Sequence, residues 1–473
     1  MNYKKTLSSI LQVTGSNIAT ILAGLIIAFV LPKIITVEGF GYYKTFTLYV
    51  TYLGLFSLGI VDGIVLDYGG YNYDELDRPL FRCYYKWYVL ITVFFSLIIV
   101  LLAFLFDDWN LRFIIISLAL NLIAVNISGF FQNISQITQR YKEYSWRRIL
   151  QSIFNVVVII AMYLFYLSNG LADYKAYVIS LVVVNLCLTI WYVYTYRDIV
   201  FGNSNPLLAE SHTVLHLIKI GFPLLFANLS STLLLTLDRQ FVNILFDTKS
   251  YAIYAFSYSM LSLVTVATSA ISTVLYPTLK RSSLEYMQNH FSSFISIISC
   301  FVFFLLVLYY PLKWFITWYL PNYIDSLIIF RIIFPGLGIS SVVTVIMHNY
   351  YKVLGKNMIF FKRSIVTILL ALVLNILFYY FFKTTIAISV ASIITLFFWY
   401  IYSEWYFRNM YSYKGNKNLI YIILMVGSFY VSTSISKDIL GISLYFVFYM
   451  VVTLIFFKSI LFNIKSLVTN QDI

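Results

Sequence analysis

The chain has 473 residues, of which 61% are apolar, 19% aromatic and only 11% charged. A soluble domain carries about 25% charged residues. A mean hydropathy of +0.85, with repeated apolar runs of about 20 residues that each suffice to cross a ~30 Å hydrocarbon core, excludes soluble enzymes and nucleic-acid readers. It specifies an all-α polytopic membrane protein. The net charge of +13, from 32 Lys and Arg against 19 Asp and Glu, fits cationic loops facing an anionic inner leaflet better than it fits nucleic acid.

Charge clusters and Gly, Pro and Asn punctuation divide the chain into fourteen apolar segments: 9–32, 41–64, 85–106, 113–136, 148–167, 176–195, 216–245, 250–277, 293–319, 326–350, 364–382, 386–406, 418–435 and 441–461. The first is too long for the core of a signal peptide and has no A-x-A site, so it reads as a retained span. Placing the N-terminus inside puts 22 of the 32 Lys and Arg in the tails and even-numbered loops. That skew obeys the positive-inside rule and predicts fourteen crossings with both termini cytoplasmic. The longest loop, 196–213, contains Asn203-Ser204-Asn205-Pro206, a turn-forming cluster suited to joining two halves. The predicted organisation is an N-terminal lobe at 1–200, a linker at 201–213, a C-terminal lobe at 214–406 and an additional helix pair in 407–473. A shift of 211 superposes Asn17 on Asn228, Leu22 on Leu233 and Tyr43 on Tyr254. Two parallel six-helix bundles would place a central site between the halves.

Polar residues inside the spans point to that site. In the first segment Gly15-Ser16-Asn17 softens the helix. In the second, Lys44 and Asp62 share a face, since 18 residues make five turns. Ser128, Gln132, Ser135 and Gln139 form a stripe in the fourth segment. The seventh carries Asn228, Thr232, Thr236, Arg239 and Asn243 on one face, with Asp238 beside Arg239. An intramembrane arginine costs about 2.5–3.5 kcal/mol on insertion scales and needs a partner or water. Two readings of it are open: a structural Asp238–Arg239 pair, or a cationic lining for an anionic substrate, because a guanidinium matches phosphate oxygens two at a time. The eighth segment aligns Tyr251, Tyr254, Tyr258, Ser262, Thr265, Ser269, Ser272 and Tyr276 in one hydroxyl stripe. Such a stripe either back-bonds to its own helix or lines a wet wall where rings stack on sugars. Pro223 and Pro335 can bend the seventh and tenth segments.

Other chemistries find no residues. Cys83, Cys187 and Cys300 lie far apart, and His212, His216, His290 and His348 lack a third ligand, so neither a disulfide framework nor a metal site is expected. No phosphate-binding glycine loop and no loop with a nucleophile beside a base occurs. No cofactor and no enzymatic activity are expected.

Glu38-Gly39-Phe40-Gly41-Tyr42-Tyr43-Lys44, Tyr52-Leu53-Gly54-Leu55-Phe56 and Ile60-Val61-Asp62-Gly63 resemble the first two helices of bacterial polysaccharide flippases, within the superfamily that also holds multidrug extruders and lipid II flippases. Leu237-Asp238-Arg239, Tyr276-Pro277 and the run from His348 to Lys356 resemble them too. The resemblance implies a transporter of the bacterial cytoplasmic membrane that flips undecaprenyl-pyrophosphate-linked oligosaccharide units by alternating access. It implies membrane lipids, a polysaccharide polymerase and glycosyltransferases as partners, with exopolysaccharide, capsule or O-antigen as the polymer. The expected substrate-binding residues are Arg239, Lys44, Asp238, Asn228, Thr232, Tyr258, Ser262, Thr265 and Asn17, with Arg239 and Lys44 meeting the pyrophosphate. Segment 7–31 contains no acid and no arginine, which departs from cation-coupled drug extruders and from lipid II flippases respectively. The rival readings are a cation-coupled multidrug antiporter, with Asp62 and Asp238 as its carboxylates, and a polysaccharide polymerase or ligase. The latter would need a long outer loop, which is missing.

Overall fold

The computed structural model describes residues 3–411 and 416–469. Within them the chain is helical, with no strand beyond one isolated bridge between Ile35 and Ala172. The helices are α1 Tyr3–Ile34, α2 Val37–Val50, α3 Ile60–Tyr68, α4 Arg78–Ala103, α5 Trp109–Ile137, α6 Tyr141–Asn169, α7 Tyr174–Thr195, α8 Ser211–Leu245 and α9 Thr248–Arg281. They continue as α10 Leu284–Leu305, α11 Tyr309–Tyr319, α12 Ser326–Ile333, α13 Gly336–Ser341, α14 His348–Val353, α15 Asn357–Phe382, α16 Thr385–Tyr411, α17 Lys417–Thr433 and α18 Asp438–Thr469.

Every one of the fourteen apolar segments falls on a helix or a bent helix pair. Among the described residues ten helices are long and apolar enough to cross a membrane, or twelve if each of two bent pairs is one span. The 17-residue α17 and the helix α9 lie outside that number. The starts of the spans follow from capping residues. Thr36 accepts from the Gly39 amide at α2, Asp77 from Leu80 at α4, Asp108 from Asn110 at α5, Asp173 from Lys175 at α7 and Ser283 from Tyr286 at α10. Each satisfies an amide that a helix start leaves without a partner.

Both bends have identifiable causes. Pro335 sits at the 43° break between α12 and the run 336–353, as its missing amide requires. The second predicted segment is not one straight helix. After α2 the backbone tightens into a 3₁₀ turn at Leu53–Ser57, passes through positive φ at Leu58 (52°) and Gly59 (84°), and resumes as α3 at 59°. Lys44 and Asp62 therefore stand on different helices, and the expectation that they share a face fails. The five-turn count assumed an uninterrupted helix.

The contacts divide the chain into two compact units, Met1–Ala255 and Phe256–Ile473, with the border inside α9. In the first unit α1 lies along α6, α4 along α5, α5 along α7, and α3 along α8. Its core is aromatic: Phe131 stacks on Tyr192 and Tyr196, and Tyr88 on Phe130. The α3–α8 crossing is backbone on backbone. A Cβ built on Gly221 would lie 2.0 Å from the Gly59 carbonyl and 2.4 Å from the Gly63 nitrogen, so only glycine fits there. In the second unit α15 packs on α16, α17 on α18, and α10 on α13, α17 and α18. Its rings cluster around Tyr309, Phe330, Phe334 and Phe429, and the Tyr445 hydroxyl donates to the Phe303 carbonyl at 2.6 Å. Large apolar side chains such as Phe94, Leu97 and Leu101 on α4 stay exposed, as a lipid-facing surface demands.

Candidate functional site

In the first unit α2, the turn that follows it and the opening turns of α9 converge on the polar face of α8. Thr236 accepts or donates across to the hydroxyl of Tyr52, just before the 3₁₀ turn that follows α2, and the Asn243 amide donates to Thr45 Oγ1 at 2.7 Å. The opening turns of α9 supply two tyrosines. Tyr251 donates to the Lys44 carbonyl at 3.2 Å, and Tyr254 donates to Asp238 Oδ2 at 2.7 Å. Asp238 is buried at 4% exposure, and its other oxygen accepts the Arg239 amide at 2.7 Å. A buried carboxylate needs such donors, since leaving it unbonded costs several kcal/mol.

The cations stand beside this frame. Arg239 is half-buried and donates to the Leu235 carbonyl at 3.1 Å, one turn back. Lys44, also half-buried, extends over the rings of Phe40 (5.1 Å) and Tyr43 (5.6 Å). Lys44 adjoins Thr45 and Arg239 lies one turn before Asn243, so the Asn243–Thr45 bond holds the two cation-bearing turns of α2 and α8 against each other. An ammonium and a guanidinium held on facing helices, with tyrosine hydroxyls around them, can bind an anion with two negative groups. The guanidinium grips oxygens in pairs and the ammonium acts as a point charge.

The predicted residues do not all gather here. Arg239, Asp238 and Lys44 do. Thr232 and Asn228 continue the same face of α8 away from the cluster: Thr236 donates to the Thr232 carbonyl, Thr232 to that of Asn228, and Asn228 is exposed. Asn17 belongs elsewhere, on the α1–α6 seam, where its oxygen accepts from Arg148 Nη1 at 2.8 Å. Tyr258, Ser262 and Thr265 fall in the second unit. There Ser262 donates to the Ser259 carbonyl at 2.6 Å and Thr265 to that of Ser262 at 2.9 Å. These hydroxyls satisfy themselves along α9, which is the back-bonding reading of the stripe. Farther on, Ser272 accepts from Asn349 at 2.8 Å and ties α9 to α14.

Thr45 and Tyr52 escaped sequence reading. Their signal was weak, because hydroxyls in an aromatic helix are common and only the facing Asn243 and Thr236 give them a role. Gln151, Asn185 and buried Asn121 also form a chain of amides across α6, α7 and α5, with both bonds 2.8 Å.

The bundle is helical and multi-pass, with cations and tyrosines inside it. Three solved structures share the fold. One is a lipid II flippase, MurJ, in an inward closed conformation, at 15% identity and a TM-score of 0.67, covering 96% of this chain and 100% of that one. Another is an inward-facing multidrug resistance MATE family transporter of the MOP superfamily, at 12% identity and 0.60, covering 85% and 96%. The third is a eukaryotic MATE transporter, AtDTX14, at 13% identity and 0.51, covering 86% and 99%. Among curated proteins none matches by sequence. The family model described as polysaccharide biosynthesis protein matches residues 6–283, more than half of the chain, and the protein belongs to that family.

Proposed function

We propose that the protein flips undecaprenyl-pyrophosphate-linked oligosaccharide units across the bacterial cytoplasmic membrane, by alternating access of two lobes at 1–200 and 214–406. The observation that carries this reading is that Lys44 and Arg239 stand on turns of α2 and α8 joined by the Asn243–Thr45 bond, beside Tyr52, Tyr251 and Tyr254. A pyrophosphate is the anion that two such cations suit, and hydroxyl-bearing rings suit the first sugars attached to it. Asn228 and Thr232, farther along the same face of α8, are assigned to the path of the sugar chain. Family membership supports polysaccharide biosynthesis as the setting, and glycosyltransferases and a polymerase are the partners this reading implies. Deleting the gene should leave lipid-linked oligosaccharide accumulated on the inner leaflet, read by mass spectrometry of extracted lipid intermediates. Unchanged intermediates would remove the reading.

A second reading draws on Asp238. A buried carboxylate hydrogen-bonded to a tyrosine is what a cation-coupled drug antiporter needs, and resistance to cationic drugs that falls in Asp238→Asn would favour it.

The same proposal places both termini and the loop 138–140 in the cytoplasm, with the end bearing Asp173 outside. Lys142 and Asp173 lie at opposite ends of α6 and its flanking turns. Lys142→Cys should react with an impermeant thiol reagent only in opened cells, and Asp173→Cys in intact ones. Labelling of both from outside would overturn the orientation.

A further inference from the structure

We propose that the first unit carries a second ligand site, a cleft for a sugar residue at the end where α1 meets α2, α4 meets α5 and α6 meets α7. The cleft has a volume of about 360 Å³ and is lined by Glu38, Tyr42, Asn110, Asp173, Tyr174 and Lys175, among others. Small-molecule sites begin at about 300 Å³, which admits one or two sugar rings.

The walls are fixed by tertiary bonds. The α6–α7 turn is pinned to the end of α1 by the Ala172 amide, which donates to the Ile34 carbonyl at 2.8 Å. The Tyr42 ring stacks on that of buried Tyr174, with centroids 5.4 Å apart and planes inclined 20°. Each phenol is anchored: Tyr42 donates to Asp108 Oδ2 at 3.0 Å, and Tyr174 donates to Asn110 Oδ1 at 2.9 Å. A half-buried aromatic ring held rigid in this way is a platform for the apolar C–H face of a pyranose.

The polar lining suits hydroxyls better than ions. Asp173 already caps α7 through the Lys175 amide, while Glu38 stands exposed at the rim and Lys175 is half-buried. Carboxylates and an ammonium therefore face the same small volume and offset each other's field, leaving acceptors and donors at fixed places. Among the described residues no group of three His, Cys, Asp or Glu is placed to hold a metal ion, which separates this cleft from a cation site. The cleft lies at the end of α6 opposite Arg140 and Lys142. Under the orientation proposed above it opens outward, where it would meet a sugar that has already crossed. The inference rests on that reading of function and names the part of the substrate this end would hold.

The test uses the full-length protein in lipid nanodiscs and three probes, the methyl glycosides of glucose, N-acetylglucosamine and glucuronic acid, followed by saturation-transfer NMR. At least one should bind saturably. Its affinity should fall about tenfold, which is about 1.4 kcal/mol, in Tyr42→Ala and in Glu38→Gln, and should hold in Arg239→Ala. Glu38 is exposed, so its variant keeps the test valid if Tyr42→Ala does not fold. No saturable binding of any probe, or equal affinity in wild type and both variants, would overturn the site. Flipping of lipid-linked oligosaccharide by the same preparation separates the two claims. Flipping without glycoside binding removes this cleft and leaves the proposed function, whereas glycoside binding without flipping keeps the cleft and removes the function.

Discussion

Gly221→Ala is expected to be the most damaging glycine-to-alanine change among the described residues. Its Cβ would stand 2.0 Å from the Gly59 carbonyl oxygen, and Gly63→Ala would put a methyl 2.3 Å from the carbonyl of Leu217. Overpacking in a core costs about 1–3 kcal/mol when side chains can give way. Here the obstacle is backbone on both sides, so the helices must part. Because Gly59 holds φ at 84°, and Leu58 before it 52°, the chain leading into α3 has little freedom to absorb the shift. We expect Gly221→Ala to lower both the membrane level and the thermal midpoint of the purified protein. Gly129→Ala, where a Cβ meets nothing within 4 Å, should leave both unchanged. Wild-type stability and transport in Gly221→Ala would show that α3 and α8 are not in this contact in the membrane.

Arg239→Ala should have the largest effect on transport with the smallest on folding. Asp238 accepts from the Arg239 backbone amide and from the Tyr254 hydroxyl, so truncating the guanidinium leaves both of these donors in place. The expected result is a near-normal membrane level with flipping abolished. Arg239→Lys should rescue only partly, since an ammonium keeps the charge and loses the paired geometry. Asp238→Ala is the contrast: it strips the buried Tyr254 hydroxyl of its acceptor at a cost of about 1–3 kcal/mol, and should lower the protein level. Quantitative blotting beside a flipping assay in vesicles reads both. If Arg239→Ala depletes the protein as much as Asp238→Ala does, the arginine is structural and the anion-binding proposal fails.

Composition and hydropathy alone determined that this is a helical membrane protein and where its apolar segments lie. A run of about 20 apolar residues has one economical conformation in lipid, because every backbone amide must be satisfied within the segment. The polar face of α8 was legible for a related reason. Periodicity of 3.6 residues is local, and Thr236, Arg239 and Asn243 announce a face wherever the helix packs. The break after α2 was not legible: Leu53–Ser57 is as apolar as its neighbours, and Gly59 marks a kink only once the backbone of α8 is known to press on it. Nor could spacing say which polar groups meet. Asn17 went to Arg148 on α6 rather than to the α8 cluster, and Ser262 and Thr265 turned to their own helix. The partners that gave Thr45, Tyr52 and Tyr254 their places lie 198, 184 and 16 residues away along the chain. The sequence by itself set which residues are costly to bury in lipid. Only the tertiary structure decided how each cost is met, because hydrogen bonds between helices depend on which faces touch, and many packings satisfy the same pattern of apolar runs.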